Sequence, residues 1–412
     1  MAPRTTIISR QDLQGGAILA ASITEVKHLA SYSWIEAPVP TIAVPGVPPR
    51  WTPPRGQRRL PKDRGLVYIA QNAARHPDSP VEPLFRALYL AQPAFDILAT
   101  DVVTDRNNIR KLLSFVDPSS GRNGLEPFAI DVEVTKNTAI FSRMETKTQE
   151  FIGPNEFRGF GHEFEKAYTT YDISGSTGHH RILSYKFGGL NFIVRHEVDG
   201  YVERSTEMSS SSKGRGTDDI SGLMGSLSLS TTSSGRKATA IAGSKLVIRE
   251  EGHAVPIEST LEIKTRVAHK PLSILEVAPQ LWTSQTPKLV RAHHSSGVFQ
   301  EPRVEDVSSD IRRWEQGNQA SLKKLAILIE KIIGAVKDHD GRATVKYDGV
   351  MGQLVIRPAE EKRMLPDDLY SKWESRDNTE VKSPGRLDVL GSKDREKPTE
   401  TLSTRAKKEK DI

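Results

Sequence analysis

The sequence predicts an α/β fold in which mixed, largely antiparallel β-sheets form the core and helices flank them. Two observations predict this fold. Several stretches alternate apolar and polar residues on either side of turn residues, which is typical of β-hairpins. Other stretches carry apolar residues at helical spacing, which is typical of helices that pack on a sheet.

Hairpin patterns recur along the chain. The stretches are 126–145, 181–202 and 244–267, with 343–358 as one further strand pair. Lys136-Asn137 supplies the turn of the first hairpin and Gly188-Gly189 that of the second. These strands are expected to form the sheets.

Three stretches have helical character. They are 82–92, 106–115 and 309–337. The last, "SDIRRWEQGNQASLKKLAILIEKIIGAVK", has apolar residues at helical spacing in its second half. We expect it to pack on the sheet.

The composition of the chain divides it into regions. Residues 37–64 are rich in proline and arginine, so residues 1–65 are predicted to be an N-terminal arm that wraps the surface in extended form. Residues 66–360 are predicted to form the main domain. Within it, 204–243 are dominated by Ser, Thr and Gly and are predicted to be a disordered insertion, and the charged residues 372–412 a disordered tail.

The overall composition excludes several kinds of site. Lys and Arg number 58 and Asp and Glu 52, which gives a net charge of +6 and is compatible with a polyanionic partner. The absence of cysteine excludes disulfides, thiolate metal sites and a cysteine nucleophile. The histidines show no ligand spacing on a predicted helix, so an imidazole metal cluster is not expected. No early apolar stretch is long enough to span a bilayer.

Acidic residues recur at the ends of predicted elements. Glu197 and Asp199 lie two positions apart after an apolar strand, so both side chains point to one side. Glu262 shares a face with Lys264 on another predicted strand, and Glu165 follows the predicted start of a helix near 161. Taken singly, these are solvated residues or a cross-strand salt bridge. Together they indicate carboxylates that hold hard cations for phosphodiester chemistry, with a lysine to stabilise charge.

At these positions the sequence resembles the DXO decapping exonucleases. The stretches "GHEFE" (161–165), "EVD" (197–199) and "EIKT" (262–265) are similar to the family's G-x-x-F-E, E-x-D and E-x-K-T motifs. "DVVTDRNNIRKLL" (101–113) is similar to its D-x-V-T-x-R segment, and "QLWTSQTPKLVRA" (280–292) resembles the segment whose glutamine contacts substrate. The order and spacing of these short motifs carry the resemblance. It implies a nuclease core with a PD-(D/E)xK-like active site.

The resemblance also implies roles for individual residues. The implied ligands of two Mg²⁺ or Mn²⁺ ions are Glu165, Glu197, Asp199, Glu262 and the backbone carbonyl of Ile263. Glu262, Asp199 and Lys264 would be catalytic. Lys264 and Gln280 would contact the RNA backbone, with Gln285 as the alternative if the alignment slips, and Arg106 would contact a 5′ phosphate or the first nucleotides.

The implied function is removal of faulty RNA 5′ ends, with 5′-to-3′ degradation of the RNA body left open. A nuclear or cytoplasmic location is expected, with a mitochondrial one less so and no membrane association. The family's fungal relatives act beside a 5′-to-3′ exoribonuclease, which is therefore a candidate partner. Two alternatives remain: an RNA-binding or exoribonuclease-stabilising protein without turnover, and a PD-(D/E)xK-type DNA nuclease. The sequence departs from the family pattern at Asp105, where an aromatic residue is usual, and at Asn107, where glycine is usual.

Overall fold

Two large β-sheets dominate the computed structural model. It describes residues 5–15, 20–120, 125–203, 238–349, 352–359 and 362–374. All of these lie in a single unit that spans Met1–Glu374. Within these ranges no helix combines the length and the apolar character that spanning a bilayer requires.

The larger sheet has 12 strands in the described part of the chain and is mixed. In spatial order they are Thr6–Ser9 (β1), Gln353–Pro358 (β22), Arg342–Tyr347 (β21), Phe128–Thr135 (β8), Thr138–Met144 (β9), Val102–Asp105 (β7), Leu190–Glu197 (β13), Ser176–Phe187 (β12), Thr24–Ile35 (β2), Thr41–Gly46 (β3), Val247–Gly252 (β16) and Ala238–Ala240 (β15). β7 is parallel to both neighbours and β16 is parallel to β3, whereas the other pairs are antiparallel.

The second sheet has eight strands among the described residues. In order they are Thr169–Thr170 (β11), Arg50–Trp51 (β4), Gly200–Tyr201 (β14), Thr260–Val267 (β17), Lys288–Ser295 (β18), Val298–Phe299 (β19) and Arg58–Arg59 (β5), with Val304–Asp306 (β20) also paired to β18. Gly65–Tyr68 (β6) and Gln149–Ile152 (β10) form a separate two-stranded ribbon.

Helices cover both faces of the larger sheet. The α-helices are Gln71–Arg75 (α1), Glu82–Ala91 (α2), Arg106–Val116 (α3), Gly161–Tyr168 (α4), Ile274–Ser284 (α5), Ser308–Gly317 (α6), Gln319–Lys337 (α7) and Asp367–Tyr370 (α8). Short 3-10 turns occupy Gln11–Leu13, Ile97–Ala99, Pro118–Ser120, Ile257–Ser259 and Ser371–Trp373. Along β13, Phe192 and Val194 join one buried cluster with α3, α5, α6 and α7, while Ile193 joins another with α2. The alternation of side chains along the strand therefore supplies two apolar cores.

The predicted mixed α/β fold is confirmed, together with two of its three hairpins. β8 and β9 pair around Lys136, whose φ is 53°, and β12 and β13 pair around Gly188-Gly189. The strand pair at 343–358 is confirmed as β21 and β22. The helices predicted at 82–92 and 106–115 are α2 and α3.

The third predicted hairpin, 244–267, is wrong. β16 and β17 lie in different sheets, because β16 pairs in parallel with β3 and β17 pairs in parallel with β18. The predicted helix at 309–337 is two helices that meet at Asn318, where the backbone leaves the helical region and the side-chain amide binds the carbonyl of Trp314 at 2.7 Å.

The segment predicted as an extended surface arm over 1–65 contains β2 and β3 of the larger sheet. Tyr32 and Trp34 of β2 are fully buried, so this stretch lies in the core and not on the surface. Pro45 of β3 lies beyond the pairing with β2, which covers only Thr41–Ala43, and is opposite Glu251 in the pairing with β16. The division of the chain at residue 66 stays a prediction.

The two segments predicted to be disordered lie mostly outside the described residues. Of the insertion at 204–243, the described part begins at 238 and starts with β15, which pairs with β16. Of the tail at 372–412, only 372–374 are described, and Trp373 is buried against Phe85. The fold therefore extends to the end of the described chain.

Candidate active site

The chain crosses from the larger sheet to the second sheet at the E-x-D motif. β13 ends at Glu197, and β14 begins at Gly200, which pairs with Leu261 of β17. The residues on either side of Glu197 are buried, whereas Glu197 is exposed and Asp199 is half-buried. The E-x-D and E-x-K motifs therefore meet where the two sheets adjoin.

Glu262 is the most buried acidic residue of this junction, at 2 % exposure. Its Oε1 accepts a hydrogen bond from Nζ of Lys264 at 2.5 Å, which confirms that these two side chains share a face of β17. Its Oε2 accepts one from Arg106 at 3.1 Å. The side-chain amide of Gln280 in α5 also donates to Oε1. Glu262 thus binds three of the side chains that sequence analysis assigned to substrate.

Asp199 is fixed to the same strand. Its Oδ2 accepts a hydrogen bond from the backbone N–H of Ile263 at 2.8 Å. Its carboxyl group also lies within hydrogen-bonding reach of Glu262. Two carboxyl groups in such contact share a proton unless a cation separates them.

Glu165 reaches the junction from α4, which begins at Gly161 as predicted. Phe164 anchors this helix, since it is fully buried and stacks on Tyr168 with ring centroids 3.9 Å apart. The buried carboxylate of Asp63 accepts a hydrogen bond from the N–H of Glu163 at 3.0 Å and so caps the first turn. The helix therefore presents Glu165 from a rigid support.

The charges of the site divide into two sets. Burial alone would raise the pKa of Glu262, but Lys264 and Arg106 outweigh burial and lower this pKa to about 2. Burial opposes the charge on Lys264, yet Glu262 and Asp199 hold its pKa above the usual value. Glu262 and Lys264 are therefore both ionised at neutral pH.

The other three carboxyl groups, those of Glu165, Glu197 and Asp199, have raised pKa values. Burial raises the pKa of Glu165 to about 7, with further upward contributions from Glu197 and Glu262. Desolvation by the surrounding protein raises the pKa of Glu197, although part of its side chain reaches solvent, and Glu262 raises it further. Burial and Glu262 also raise the pKa of Asp199 well above its usual range. The junction holds more negative charge than Lys264 and Arg106 neutralise.

A divalent cation suits this donor set in kind and in charge. Carboxylate oxygens are the ligands that Mg²⁺ and Mn²⁺ prefer, and a cation would offset both the burial and the mutual repulsion that raise three of the four pKa values. As the side chains stand in the described ranges, no group of three or more histidine, aspartate or glutamate residues is arranged to hold a metal ion. The Glu262 carboxylate instead accepts hydrogen bonds from Lys264, Arg106 and Gln280. Side-chain rotation would accompany metal binding.

We expect Asp199→Asn to raise the free energy of unfolding of the metal-free protein at pH 7. The pKa of Asp199 is higher in the folded than in the unfolded state. Such a group destabilises the folded protein as the pH rises from the unfolded pKa through the folded pKa. The amide removes this penalty and keeps an acceptor for the Ile263 N–H. Urea unfolding in EDTA should show a higher free energy of unfolding for Asp199→Asn than for wild type at pH 7, and this difference should shrink toward pH 4.

Asp306→Asn is the matched control for this change. Hydrogen bonds from Ser308 lower the pKa of Asp306, so its ionised form stabilises the folded state and the amide should give equal or lower stability. A metal-free Asp199→Asn protein that is less stable than wild type at pH 7 would contradict the predicted repulsion.

The choice between the two candidate glutamines follows from their hydrogen bonds. Gln280 donates to Glu262 inside the site, whereas Gln285 has a φ of 52° after the end of α5 and donates to the carbonyl oxygen of Trp282 at 2.5 Å. Gln280 is therefore the glutamine that the fold brings to the carboxylates. Asp105, one of the departures from the family pattern, forms a two-pronged ion pair with Arg195 at 2.6 and 2.9 Å.

A pocket of about 120 Å³ lies beside Glu197 and Arg106. Asp105 and Asn107, the two departures from the family pattern, also line it. Sequence analysis assigned no substrate role to its further polar residues, which are Tyr68, Gln71, Asn72, Arg110, Arg143, His180, Arg195 and His196. Burial and the neighbouring Arg106 lower the pKa of Arg110 to about 10. A signal for Arg110 was present, because it follows Arg106 by four residues in α3 and so shares its face. The pocket is suited to an anionic ligand.

Solved structures of fungal Rai1 proteins share this fold. Rai1 of S. pombe is 13% identical with a TM-score of 0.53, and the match covers 87% of this chain and 100% of that chain. Rai1 of Scheffersomyces stipitis, in complex with (3′-NADP)⁺ and calcium ion, is 11% identical with a TM-score of 0.55 and coverage of 90% and 98%. S. pombe Rai1 has also been solved in complex with 3′-FADP. Rai1 proteins are members of the DXO/Rai1 family, so the fold that the resemblance implied is confirmed.

The fold thus defines a protein of the Rai1 architecture with an acidic junction between its sheets. The chain belongs to the family described as "Domain of unknown function (DUF8563)", whose model matches residues 5–373. No curated protein matches the sequence.

Proposed function

We propose that this protein is a divalent-metal-dependent hydrolase that acts on the 5′ ends of RNA. One observation carries the proposal. Glu165, Glu197, Asp199 and Glu262 converge with Lys264 at the junction of the sheets, and an arginine-lined pocket adjoins them. Acidic, lysine-containing sites of this kind suit the hydrolysis of phosphate esters and anhydrides. The shared fold of Rai1 supports the same assignment.

The four carboxylates would hold the metal, together with the backbone carbonyl of Ile263. When bound, Mg²⁺ or Mn²⁺ neutralises phosphate charge and lowers the pKa of a coordinated water. The proposal includes two ions, as the DXO resemblance implies. The calcium ion in the S. stipitis Rai1 complex supports divalent-metal binding by a protein of this fold.

The remaining side chains bind and orient the substrate. Lys264 is charged at neutral pH and is held beside Glu262, from which its ammonium can contact a phosphate oxygen. Arg106 occupies the first turn of α3, where the helix dipole and unpaired N–H groups also favour an anion. Gln280 is fixed by Glu262 and can donate to the RNA backbone.

The pocket beside Arg106 would receive the terminal group of the RNA. Arg110 forms no hydrogen bond or ion pair in the part of the chain that the structure describes, so its guanidinium is available to a phosphate. Rai1 has been solved in complex with 3′-FADP and with (3′-NADP)⁺. These complexes support a substrate RNA whose 5′ end carries an additional nucleotide. The proposal includes decapping and pyrophosphohydrolase activity. It also includes assistance to a 5′-to-3′ exoribonuclease.

Product release from RNAs that differ only at the 5′ end tests the proposal. The substrates are 5′-triphosphate, unmethylated-cap, NAD-capped and 5′-monophosphate RNAs in Mn²⁺ and in Mg²⁺. We expect wild type to release product from at least one of them and the double variant Asp199→Asn, Glu262→Gln to release none. Glu156→Gln, at an exposed position outside the junction, is the matched control and should act as wild type.

If wild type binds these RNAs but releases no product in either metal, the hydrolase assignment fails and an RNA-binding role takes its place. If wild type hydrolyses DNA of the same length as readily, the PD-(D/E)xK-type DNA nuclease becomes the better description.

A further inference from the structure

The two-stranded ribbon carries an exposed apolar face. Leu66 of β6 lies directly opposite Phe151 of β10, and Tyr68 lies opposite Gln149. Directly opposed residues and residues two apart share a face, so Leu66, Tyr68 and Phe151 lie on the same side of the ribbon. The exposed fraction is 52 % for Leu66 and 71 % for Phe151. Large apolar side chains gathered and exposed in this way mark a binding surface.

This face continues into the acidic junction. Tyr68 lines the pocket that Arg106 and Glu197 also line. At the other end of β6, Gly65 and Phe151 border a groove against α4, the helix that carries Glu165. The backbone N–H of Asp63 donates to the carbonyl of Gly159, just before α4, at 3.0 Å, and the Asp63 carboxylate accepts from the N–H of Glu163 in α4 at 3.0 Å, so the chain before the ribbon is held to that helix. The ribbon is therefore a fixed extension of the site.

Basic side chains accompany the exposed face. Arg64 borders the same groove and forms no ion pair among the described residues. The ammonium of Lys62 lies 5.6 Å from the ring centroid of Phe157, a second exposed aromatic residue, and likewise has no carboxylate partner in the described ranges. Exposed rings beside uncompensated cations are typical of surfaces that bind single-stranded nucleic acid, where bases stack on rings and phosphates meet the cations.

We propose that the exposed ribbon face of Leu66 and Phe151 is a stacking surface for single-stranded RNA, and that it holds the nucleotides that follow the 5′ end. Tyr68 continues this face toward the pocket, with the guanidinium of Arg75 over its ring at 4.9 Å. This inference rests on the proposed function, because it supplies the path of the RNA body out of the junction. The unpaired cations and the continuity with a phosphate site favour RNA over a protein partner. Duplex RNA would not use the face, since its bases are already stacked.

The test compares the affinity for a short and a long RNA. Wild type, the double variant Leu66→Ser, Phe151→Ser and the control Leu275→Ser are titrated with 5′-phosphorylated uridine dimer and 12-mer, and binding is followed by fluorescence anisotropy. Leu275 is exposed on α5 and lines neither the pocket beside Arg106 nor the groove beside the ribbon. Because Leu66 and Phe151 are exposed, their truncation should leave the thermal midpoint close to that of wild type.

Wild type and Leu275→Ser should bind the 12-mer more tightly than the dimer. The double variant should bind the 12-mer about 5- to 150-fold more weakly than wild type does, which corresponds to the loss of one stacked base. If the double variant binds the 12-mer as tightly as wild type does, the inference is overturned while the proposed function stands, and the face is left to a protein partner. If wild type binds neither RNA, the proposed function fails first.

Discussion

Glu262→Gln is expected to lower turnover on RNA 5′ ends about a thousandfold. Glu262 is the acidic residue that touches Lys264, Arg106 and Gln280 together, so the change removes a proposed metal ligand and releases the cations that orient the phosphate. A loss of about 4 kcal/mol of transition-state stabilisation corresponds to this factor. The measurement is kcat and KM in Mn²⁺ on the best wild-type substrate.

Glu305→Gln is the matched control for that variant. Glu305 in β20 also pairs with an arginine of the second sheet, Arg291, at 2.6 and 3.1 Å, but it lies outside the junction. Its variant should keep kcat. A Glu262→Gln protein that remains folded and turns over within tenfold of wild type would contradict the assigned role of Glu262.

Trp373→Ala is expected to lower the free energy of unfolding by about 3–5 kcal/mol. The indole is 1 % exposed, packs edge-on against Phe85 with ring centroids 5.5 Å apart, and donates from Nε1 to Thr138 Oγ1 at 2.8 Å. Truncation leaves a cavity and removes the donor to the Thr138 hydroxyl, which still donates to the carbonyl of Thr100 at 2.8 Å. Urea unfolding of the two proteins, with the same RNA assay as above, measures the change.

Glu374→Ala provides the control, because the next residue along the chain is exposed and its truncation should change stability by no more than about 0.5 kcal/mol. Equal stability of Trp373→Ala and wild type would show that the end of the described chain does not belong to the core.

The local parts of the fold could be predicted from the sequence. The turns at Lys136 and at Gly188-Gly189 lie between strands that pair with each other, so short-range patterning specified both hairpins. β16 instead pairs with β3, which lies far earlier in the chain, and β17 pairs in parallel with β18 across α5, so neither pairing could be predicted from a hairpin pattern. β2 was missed because the proline-rich segment beside it suggested an arm. The alternation of "ASYSWI" (30–35) was a signal for it.

The acidic residues of the site were predictable for a different reason. Glu165, Glu197 and Glu262 each lie at a defined point of a helix or strand, and the resemblance linked them through motif order. No sequence motif includes Arg143 or Gln71. They lie near Arg106 only because β9 and α1 pack around the same pocket. The arginine content of the pocket is therefore a product of tertiary structure.

The account depends centrally on the acidic junction being a divalent-metal site, and calorimetric titration of Mn²⁺ into the metal-free protein tests this most directly. We expect wild type to bind one or two ions and Asp199→Asn to bind them at least about tenfold more weakly, because a carboxylate ligand and its charge are lost. Binding by wild type should also raise its thermal midpoint. No saturable binding by wild type, or equal binding by Asp199→Asn, would contradict the account.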